Sequence, residues 1–370
     1  MAELPETMAA MLLTGHGGLD KLTYKTDWPC PRPGASEVLV RVGACGINNT
    51  DINTRTGWYS RAVSDGTTAE GGRAGFAEVS DESGGWGGGI AFPRIQGADV
   101  AGEVVALGAG APADLLGRRV LIDTWLRDWD DPLNPDKFKY FGSEVDGGFA
   151  QYATAPAANV HPIESDLSDA ELATFATSSI TAENMLRRAE VSKGDVVLIP
   201  GASGGVGSAL VQLVRRRGAV PIALCGTRKA DAVKAIGAEA VLPREPEDLG
   251  AALKEAVGRE SVDVVADVVG GPLWPQLIDC LRRGGRYTCA GAIAGPIVRF
   301  DLRAFYLNDL VFTGATVIPP GLFAELVGYI ARGEIRPLLA GTWKLEDLKT
   351  AQEAFLEKKH VGNFAVIPPD

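Results

Sequence analysis

The stretch that decides the fold is VVLIPGASGGVGSALVQLV, residues 196–214. Its apolar run predicts a buried strand over 196–200, its small residues predict a tight turn, and a helix is predicted over 207–218. The turn reads A-x-G-x-x-G, with Ala202 at the first position. Small residues let the backbone approach a pyrophosphate at the free N–H groups of a helix start. The sequence therefore predicts a dinucleotide site; the alternative is a glycine-rich turn that only packs.

Alternating elements follow this turn. Strands are predicted over 196–200, 220–225, 240–243, 262–269, 285–291 and 310–317, and helices over 207–218, 228–236, 247–258 and 272–283. Near-continuous apolar strands separated by helices predict a parallel sheet covered on both faces. The residues of the turn expected to contact a cofactor are Ala202, Ser203, Gly204, Gly205, Val206 and Gly207.

The chain before residue 160 has a different pattern. Short glycine-punctuated strands at 36–43, 97–109 and 119–124 predict an all-β, barrel-like unit. A helix is predicted over 167–189, with Ser168 and Glu171 forming a capping box. Late helices at 321–332 and 346–358 and a strand at 364–368 are expected to return to the first domain. The predicted domains are 1–160, 161–317 and 318–370.

Two long segments, 60–93 and 125–146, lack a regular pattern. The first is a glycine-rich insert and the second carries aromatic and acidic residues. Loops of this length are usually functional or disordered. We expect at least one of them to shape a substrate cleft, the alternative being a solvated surface loop.

The end of the second strand of the parallel sheet bears on the choice of dinucleotide. An NAD site places an acidic residue there for the ribose 2′-hydroxyl, whereas this chain has Gly226, Thr227, Arg228 and Lys229. A guanidinium fork and an ammonium both suit a 2′-phosphate. The sequence therefore predicts NADPH; the alternative is that both cations are solvated at a helix start.

Composition excludes several partners. The 370 residues carry a formal net charge of −11, which disfavours nucleic acid. No apolar run reaches the ~20 residues that span a bilayer, so no membrane partner is expected. The N-terminus lacks the basic region of a signal peptide. Five scattered cysteines without a CxxC pair predict reduced thiols and a cytoplasmic protein.

Taken together, the motifs resemble the medium-chain dehydrogenase/reductase superfamily over nearly the whole chain. The resemblance is carried by EVLVRVGACGINNTD (37–51), GADVAGEVVALGAG (97–110), GGFAQYATAPA (147–157), the 196–214 turn and HVGNFAV (360–366). It implies an α/β fold with an N-terminal GroES-like β-barrel domain, a Rossmann doubly wound parallel sheet, and an active site in the cleft between them.

Zinc members of this superfamily bind the catalytic ion through a Cys in the first motif and a Gly-His-Glu in the second. Here those positions read Asn48 and Gly97-Ala98-Asp99, and Cys45 lies three residues too early. The four-cysteine lobe that binds a structural zinc is also missing, because 125–146 has no cysteine. His16, His161 and His360 are too dispersed to replace these ligands. We expect no zinc and no other metal.

The stretch GINNTDINTRTGWY is most similar to quinone oxidoreductases and 2-enoyl-thioester reductases, which implies a role for Tyr59 as proton donor. By the same resemblance Thr181 contacts the nicotinamide, and Ala290, Gly291 and Ala292 line its pocket. Asn48 is a candidate to bind nicotinamide, ribose or substrate. Each has an alternative: Tyr59 packs on the cleft wall, Asn48 forms a turn, and Thr181 bonds its own helix. Asp51 is expected to hold the loop rather than act as an acid.

These expectations define a zinc-free, NADPH-dependent reductase of a small-molecule quinone, enone, enal or enoyl thioester. Trp58, Trp86 and Trp125 could form an aromatic wall, and Arg61, Arg73 and Arg94 could meet coenzyme A phosphates. The alternatives are a cofactor-binding protein with little turnover and an alcohol dehydrogenase-like enzyme. The resemblance also implies a homodimer joined along the strand 310–317, whose uncovered edge would be a hazard for a monomer.

Overall fold

The structure, a computed structural model, describes residues 4–67, 69–76, 79, 85 and 89–370. Its first part consists mainly of strands. These are β1 (Thr7–Leu13), β2 (Leu22–Pro29), β3 (Glu37–Ile47), β4 (Arg94–Ile95), β5 (Asp99–Leu107), β6 (Arg119–Ile122), β7 (Trp125–Leu126), β8 (Lys139–Tyr140), β9 (Tyr152–Pro156) and β10 (Val160–Pro162). The helices that interrupt them among the described residues are α1 (Asn49–Thr56) and α2 (Ala69–Ala74).

The second part alternates helices and strands. In chain order it contains α3 (Asp169–Leu172), α4 (Ala176–Arg188), β11 (Val196–Pro200), α5 (Gly205–Arg216), β12 (Val220–Cys225), α6 (Ala230–Ala235), β13 (Ala240–Pro243), α7 (Leu249–Val257), β14 (Val262–Asp267), α8 (Trp274–Asp279), β15 (Leu281–Cys289), α9 (Leu302–Tyr306) and β16 (Val311–Gly314). The chain ends with α10 (Leu322–Ala331), β17 (Leu339–Lys344), α11 (Leu348–Leu356) and β18 (Asn363–Ile367).

The strands of the second part form a parallel sheet in the order β13-β12-β11-β14-β15-β16. Alternate residues of β11 enter different cores. Val197 and Ile199 join the cluster that contains α4 and α5, whereas Val196 and Leu198 join the cluster on the opposite face. This alternation with a period of two confirms the predicted doubly wound parallel sheet.

The main sheet of the first part has the order β10-β6-β5-β3-β18-β17, and β9 also pairs with β3. Strand β18 comes from the end of the chain and pairs antiparallel with β3, so the C-terminal segment lies in the first sheet. Helix α10 lies elsewhere, because Leu322, Phe323 and Leu326 pack in the same cluster as α4. The GroES-like domain and the Rossmann-like domain expected from the sequence are both present.

The single helix predicted over 167–189 is wrong, because it is divided into α3 and α4. The capping box is confirmed: Ser168 N–H donates to Glu171 Oε2 at 2.8 Å, and Glu171 N–H donates to Ser168 Oγ at 3.3 Å. The break follows a close approach to β3. A Cβ atom on Gly46 would lie 2.1 Å from the carbonyl oxygen of Ala173, so β3 requires a glycine at this point.

The segment 60–93, whose sequence lacks a regular pattern, contains the helix α2. The buried Arg55 guanidinium joins this segment to its neighbours: it donates to the carbonyl oxygens of Gly17 and Gly72 and to Gln352 Oε1. Buried charged groups are stable only when their donors are satisfied. No described helix is long and apolar enough to cross a membrane.

Candidate active site between the two domains

The phosphate-binding turn connects β11 to α5. A Cβ atom on Gly207 would lie 2.3 Å from the carbonyl oxygen of Gly201 and 2.7 Å from Ala202 Cα, so glycine is required there by helix–strand packing. A Cβ atom on Gly204 would meet only Gly201 O, at 3.5 Å. The turn therefore has an open cradle at Gly204, next to the free N–H groups of the α5 N-terminus, which fits a pyrophosphate.

The residues after β12 differ in their exposure to solvent. Thr227 and Arg228 are exposed, while Lys229 is partly buried and its ammonium donates to Ser203 Oγ at 3.3 Å. Arg228 forms no hydrogen bond or ion pair within the described part of the chain. Lys229 is thus directed at the phosphate-binding turn, and Arg228 is free to reach a ligand beside it.

A second lysine lies next to this turn and was not found by sequence reasoning. Lys358 follows α11; its ammonium donates to Asn49 Oδ1 at 2.9 Å, and its carbonyl oxygen accepts from Lys229 Nζ. Burial lowers the pKa of Lys358 to about 7, and the charge of Lys229 adds to the effect. Neither lysine forms an ion pair with an acid in the described ranges. Two adjacent cations without an acid fit an anionic ligand.

On the catalytic side, Asn48 is the centre of a buried hydrogen-bond network. Its Nδ2 donates to Asp99 Oδ2 at 2.8 Å, and its Oδ1 accepts from Ser178 Oγ at 3.0 Å. Asn363 Nδ2 in turn donates to Ser178 Oγ at 3.0 Å. All four residues are buried. The network therefore joins β5, the α1 N-terminus, α4 and β18 at the domain boundary, and Asn48 is more than a turn former.

Asp51 also has a local structural role. Its carboxylate accepts the N–H of Asn48 at 2.8 Å, as a loop-holding residue would. Burial raises the pKa of Asp51 to about 7, and the charge of Asp99 adds to this rise. Burial likewise raises the pKa of Asp99 to about 6, opposed by hydrogen bonds from Thr177 and Asn48.

Asp51 makes the folded state sensitive to pH. Its carboxyl binds a proton more tightly in the folded chain than in the unfolded chain, where its pKa is about 4. The corresponding stability is complete below pH ~4 and is lost as the pH rises through about 7. Asp51→Asn keeps an acceptor for the Asn48 N–H. It should make the free energy of unfolding less dependent on pH, by a few kcal/mol at most over this range. Urea unfolding at pH 5 and pH 8 measures it, with the exposed Asp136→Asn as control; an unchanged slope in Asp51→Asn contradicts the assignment.

The residues at the metal-ligand positions of the zinc enzymes do not fit a zinc ion. The Asn48 amide is directed at Asp99 and Ser178 rather than at a vacant site, and Ala98 has no donor atom. Tetrahedral zinc needs about four N, S or O ligands. No group of three or more His, Cys, Asp or Glu side chains in the described ranges is arranged to hold a metal.

Tyr59 lies after α1 and is partly buried. Its hydroxyl accepts from Asn53 Nδ2 at 3.5 Å and donates to Thr50 Oγ1 at 3.3 Å, and its ring contacts Trp58 edge-on at 5.7 Å. It lies near Tyr140, because its charge is one of the minor causes that raise the pKa of the Tyr140 phenol. The predicted donor role of Tyr59 stays a prediction, with a hydroxyl held by its own loop.

Thr181 lies on the open side of α4. From Ala176 to Leu186, only Thr177 and Thr181 are not buried, and they are one helical turn apart. The Thr181 hydroxyl forms no hydrogen bond with the described residues, so it does not bond its own helix. We assign Asn48, Tyr59, Tyr140 and Thr181 to the cleft that is expected between the two domains.

The segment predicted to line the nicotinamide pocket follows β15. Ala290 N–H donates to Asp267 O at 3.2 Å, and the loop continues through Gly291 and Ala292. The insert reaches the end of this loop: a Cβ atom on Gly66 would lie 2.4 Å from the carbonyl oxygen of Ile293. The insert therefore contacts the residue that follows the segment expected at the nicotinamide, and its role in shaping a substrate cleft stays a prediction.

The proposed aromatic wall is only partly described. Trp125 contacts Tyr140 edge-on at 5.5 Å and is buried, and Trp58 Nε1 donates to Asp65 O at 2.8 Å within the insert. Trp86 lies outside the described residues. Arg94 is not free for a coenzyme A phosphate, because it pairs with Asp146 at 2.8 Å.

Comparison with known proteins identifies the family. Residues 34–165 match the alcohol dehydrogenase GroES-like domain, and residues 205–332 match the family described as zinc-binding dehydrogenase. A crystal structure of a "putative alcohol dehydrogenase" from Sinorhizobium meliloti 1021 is 46% identical, with a TM-score of 0.89 over 100% of this chain and 99% of that one.

Two curated relatives are more distant. Acryloyl-coenzyme A reductase of Metallosphaera sedula is 24% identical over 96% of this chain and 98% of its own. Quinone oxidoreductase of Lama guanicoe is 26% identical over 95% of each chain. With both domains matched and a 46% identical relative over the full length, this chain belongs to the medium-chain dehydrogenase/reductase superfamily of oxidoreductases.

Proposed function

We propose that the protein is a zinc-independent, NADPH-dependent reductase of the C=C bond of an activated carbonyl compound: a quinone, an enone or enal, or an enoyl thioester. The observation that carries the proposal is the pairing of the Asn48 amide with the Asp99 carboxylate where zinc relatives bind their metal. This pair does not fit a Lewis acid, so the substrate carbonyl must be polarised by hydrogen bonds.

The cations next to the phosphate-binding turn support NADPH. Lys229 is directed at Ser203, and Lys358 lies beside Lys229. The exposed Arg228 precedes Lys229 in the chain. A 2′-phosphate would relieve the repulsion between the two lysines, which a ribose hydroxyl of NADH would not.

NADPH, held by the phosphate-binding turn and Lys229, would supply a hydride to the β carbon of the substrate. The protein then has two tasks, to stabilise the enolate oxygen and to return a proton to the α carbon. We assign the proton to Tyr59, whose ordinary pKa near 10 suits donation to a carbanion. Thr181, on the open side of α4, is in place to contact the nicotinamide.

Removal of the Tyr59 hydroxyl tests this assignment. Tyr59→Phe should lower kcat by roughly 10²-fold, because general acid help is typically worth 10²–10⁴-fold. The affinity for NADPH should not change, since the hydroxyl bonds Asn53 and Thr50 of its own segment. Steady-state kinetics and cofactor fluorescence titration measure the two quantities. Unaltered turnover removes Tyr59 as donor without removing the enzyme class.

Alcohol oxidation is the second candidate, because the 46% identical relative from Sinorhizobium meliloti bears that name. One panel separates the candidates: NADPH oxidation against quinones, enones, enals and enoyl thioesters, and NADP⁺ reduction against primary and secondary alcohols. The proposal predicts turnover in the first set. Turnover confined to the alcohols contradicts it, and tight NADPH binding without oxidation by any acceptor indicates a cofactor-binding protein with little turnover.

We also propose a homodimer built along β16. Within the described residues β16 pairs only with β15, and its Val311 is 51% exposed. Leu302, Tyr306 and Leu307 extend this apolar surface. Unpaired apolar edges promote association. Light scattering that gives the mass of one chain at micromolar concentration overturns this proposal.

A further inference from the structure

Lys358 is held in a backbone conformation that lysine rarely adopts. Its φ is 51°, in the left-handed region where a Cβ atom crowds the backbone. Three other residues with side chains have a positive φ in the described chain, and all three are exposed: Ser36, Glu190 and Asp309. Lys358 is partly buried and differs from them in this respect. Local strain of this kind is a reason to look for a functional task of the side chain.

The Lys358 ammonium keeps one N–H without an acceptor among the described residues. It donates to Asn49 Oδ1 at 2.9 Å and lies 3.8 Å from the centre of the Phe355 ring. An ammonium has three N–H groups, and these two contacts use two of them. The acid next to it in the chain is engaged elsewhere, because Glu357 pairs with Lys359 at 3.0 Å. The third N–H therefore suits an anionic ligand.

The segment that carries Lys358 lies against the phosphate-binding turn. The Gly362 N–H donates to Ser203 O at 2.9 Å, and Gly362 forms a parallel bridge with Gly204. The Lys358 carbonyl oxygen accepts from Lys229 Nζ, which also donates to Ser203 Oγ. This segment is therefore in direct contact with the residues expected to bind the pyrophosphate.

The two lysine side chains have different neighbours. Lys229 follows the second strand of the parallel sheet, the place where a dinucleotide fold binds the adenosine ribose. The Lys358 ammonium instead bonds Asn49, the first residue of α1, which follows Asn48 of the cleft. A dinucleotide carries its pyrophosphate between the adenosine ribose and the nicotinamide. An ammonium on the α1 side of Lys229 therefore suits the pyrophosphate better than the 2′-phosphate.

We propose that Lys358, positioned by Asn49, binds the pyrophosphate of the cofactor and leaves selectivity for the 2′-phosphate to Lys229. This inference rests on the proposed NADPH site and assigns to Lys358 a contact that NADPH and NADH share. Lys358 lies between α11 and β18, and β18 belongs to the main sheet of the first domain. The pyrophosphate is thereby held from both domains, by the turn of the Rossmann-like domain and by a lysine of the GroES-like domain.

Lys358→Gly tests whether the residue serves the ligand or the fold. Glycine adopts a φ of 51° without strain, and the variant removes a partly buried ammonium. Its urea unfolding midpoint should therefore be at or above that of the wild type. Glu190→Gly is the matched control, because Glu190 has a φ of 50°, is exposed and forms no ion pair with the described residues. It should also keep or raise the midpoint, with unchanged cofactor affinities.

Fragments of the cofactor separate the two phosphate sites. ADP-ribose carries the pyrophosphate without a 2′-phosphate, and 2′-AMP carries the 2′-phosphate without a pyrophosphate. In Lys358→Gly the affinities for ADP-ribose, NADH and NADPH should each fall by roughly 10–100-fold, the range for a hydrogen bond to a charged group, whereas that for 2′-AMP should change by less than about twofold. Lys229→Glu should give the reverse pattern, with weaker 2′-AMP and nearly unchanged ADP-ribose. Isothermal titration measures each affinity.

Asn49→Asp is a second test that leaves Lys358 in place. The new carboxylate would pair with the Lys358 ammonium and compete with the phosphate, so ADP-ribose and NADPH should bind at least roughly 10-fold more weakly. Aspartate suits the first turn of a helix, so the fold should be kept. This variant decides the matter if Lys358→Gly folds poorly.

Two results overturn the proposal. One is wild-type affinity for ADP-ribose in both Lys358→Gly and Asn49→Asp. The other is a loss of 2′-AMP affinity in Lys358→Gly that equals the loss for ADP-ribose. A wild type that binds ADP-ribose and NADPH but reduces no acceptor removes the proposed reduction and leaves the assignment of Lys358 intact, because the titrations need no turnover.

Discussion

Replacement of Gly207 by alanine is expected to destabilise the fold and to weaken NADPH binding at the same time. The new Cβ atom would lie 2.3 Å from Gly201 O and 2.7 Å from Ala202 Cα, both of which are backbone atoms. The start of α5 must then move away from β11. Overpacking of this kind costs about 1–3 kcal/mol, and displaced helix N–H groups lose phosphate hydrogen bonds of about 1.5–3 kcal/mol each. We therefore expect a lower unfolding midpoint and at least roughly 10-fold weaker binding.

Gly204→Ala separates the two effects. Gly204 has φ −81° and ψ 175°, which alanine adopts without strain, and its Cβ atom would meet only Gly201 O at 3.5 Å. The fold should be unaffected, but the methyl group would enter the pyrophosphate cradle and weaken NADPH binding. Gly15→Ala, with no atom within 4 Å of its Cβ, is the neutral control. Urea unfolding and cofactor fluorescence measure both quantities. Wild-type affinity in Gly204→Ala contradicts the assignment of this turn.

Charge reversal at Lys229 is expected to have the second large effect. Lys229→Glu removes an ammonium directed at Ser203 and brings a carboxylate to the place assigned to the 2′-phosphate. Loss of a hydrogen bond to a charged group costs about 1.5–3 kcal/mol, and the repulsion adds to it. The affinity for NADPH should fall by roughly 10²-fold or more, whereas that for NADH should change little.

Two further variants sharpen this prediction. Arg228→Glu should act in the same direction, because Arg228 is exposed and can reach a ligand beside the turn. Lys358→Met should remove a pH dependence of binding, since the Lys358 amine, whose pKa is about 7, is expected to take up a proton and become an ammonium when the phosphate binds. Isothermal titration in buffers of different ionisation enthalpy measures that proton. Equal loss of NADH and NADPH affinity in Lys229→Glu contradicts a role for this residue in selectivity.

The sequence predicted the elements and the helix cap that depend only on residues close together in the chain. The strand, turn and helix over 196–218 alternate in a pattern with a single structural meaning, and the capping box at Ser168 is likewise local. Asn48 stands at the position of the cysteine ligand in the first motif, and this alone argued against a zinc ligand there. Its partners Asp99, Ser178 and Asn363 are distant in sequence, so no local pattern could indicate the network that joins them.

Sequence reasoning missed the residues that tertiary contacts bring to the site. Lys358 is one of two consecutive lysines after the end of α11, and only the fold places it beside Lys229. Tyr140 lies in the irregular segment 125–146, where periodicity gives no signal; only its bond to Thr177 connects it with Asp99. The break between α3 and α4 lies where the Ala173 carbonyl approaches Gly46, a residue that is distant in the sequence.

Hydride transfer without a metal is the central claim, and one measurement tests it most directly. The protein, purified with a chelator and assayed for metal by mass spectrometry, is given an enone or enoyl thioester and NADPH deuterated at nicotinamide C4. We expect deuterium at the β carbon of the saturated product at full rate, with far less than one metal ion per chain. Turnover that requires one zinc ion per chain, or deuterium at a carbonyl carbon to give an alcohol, contradicts the account.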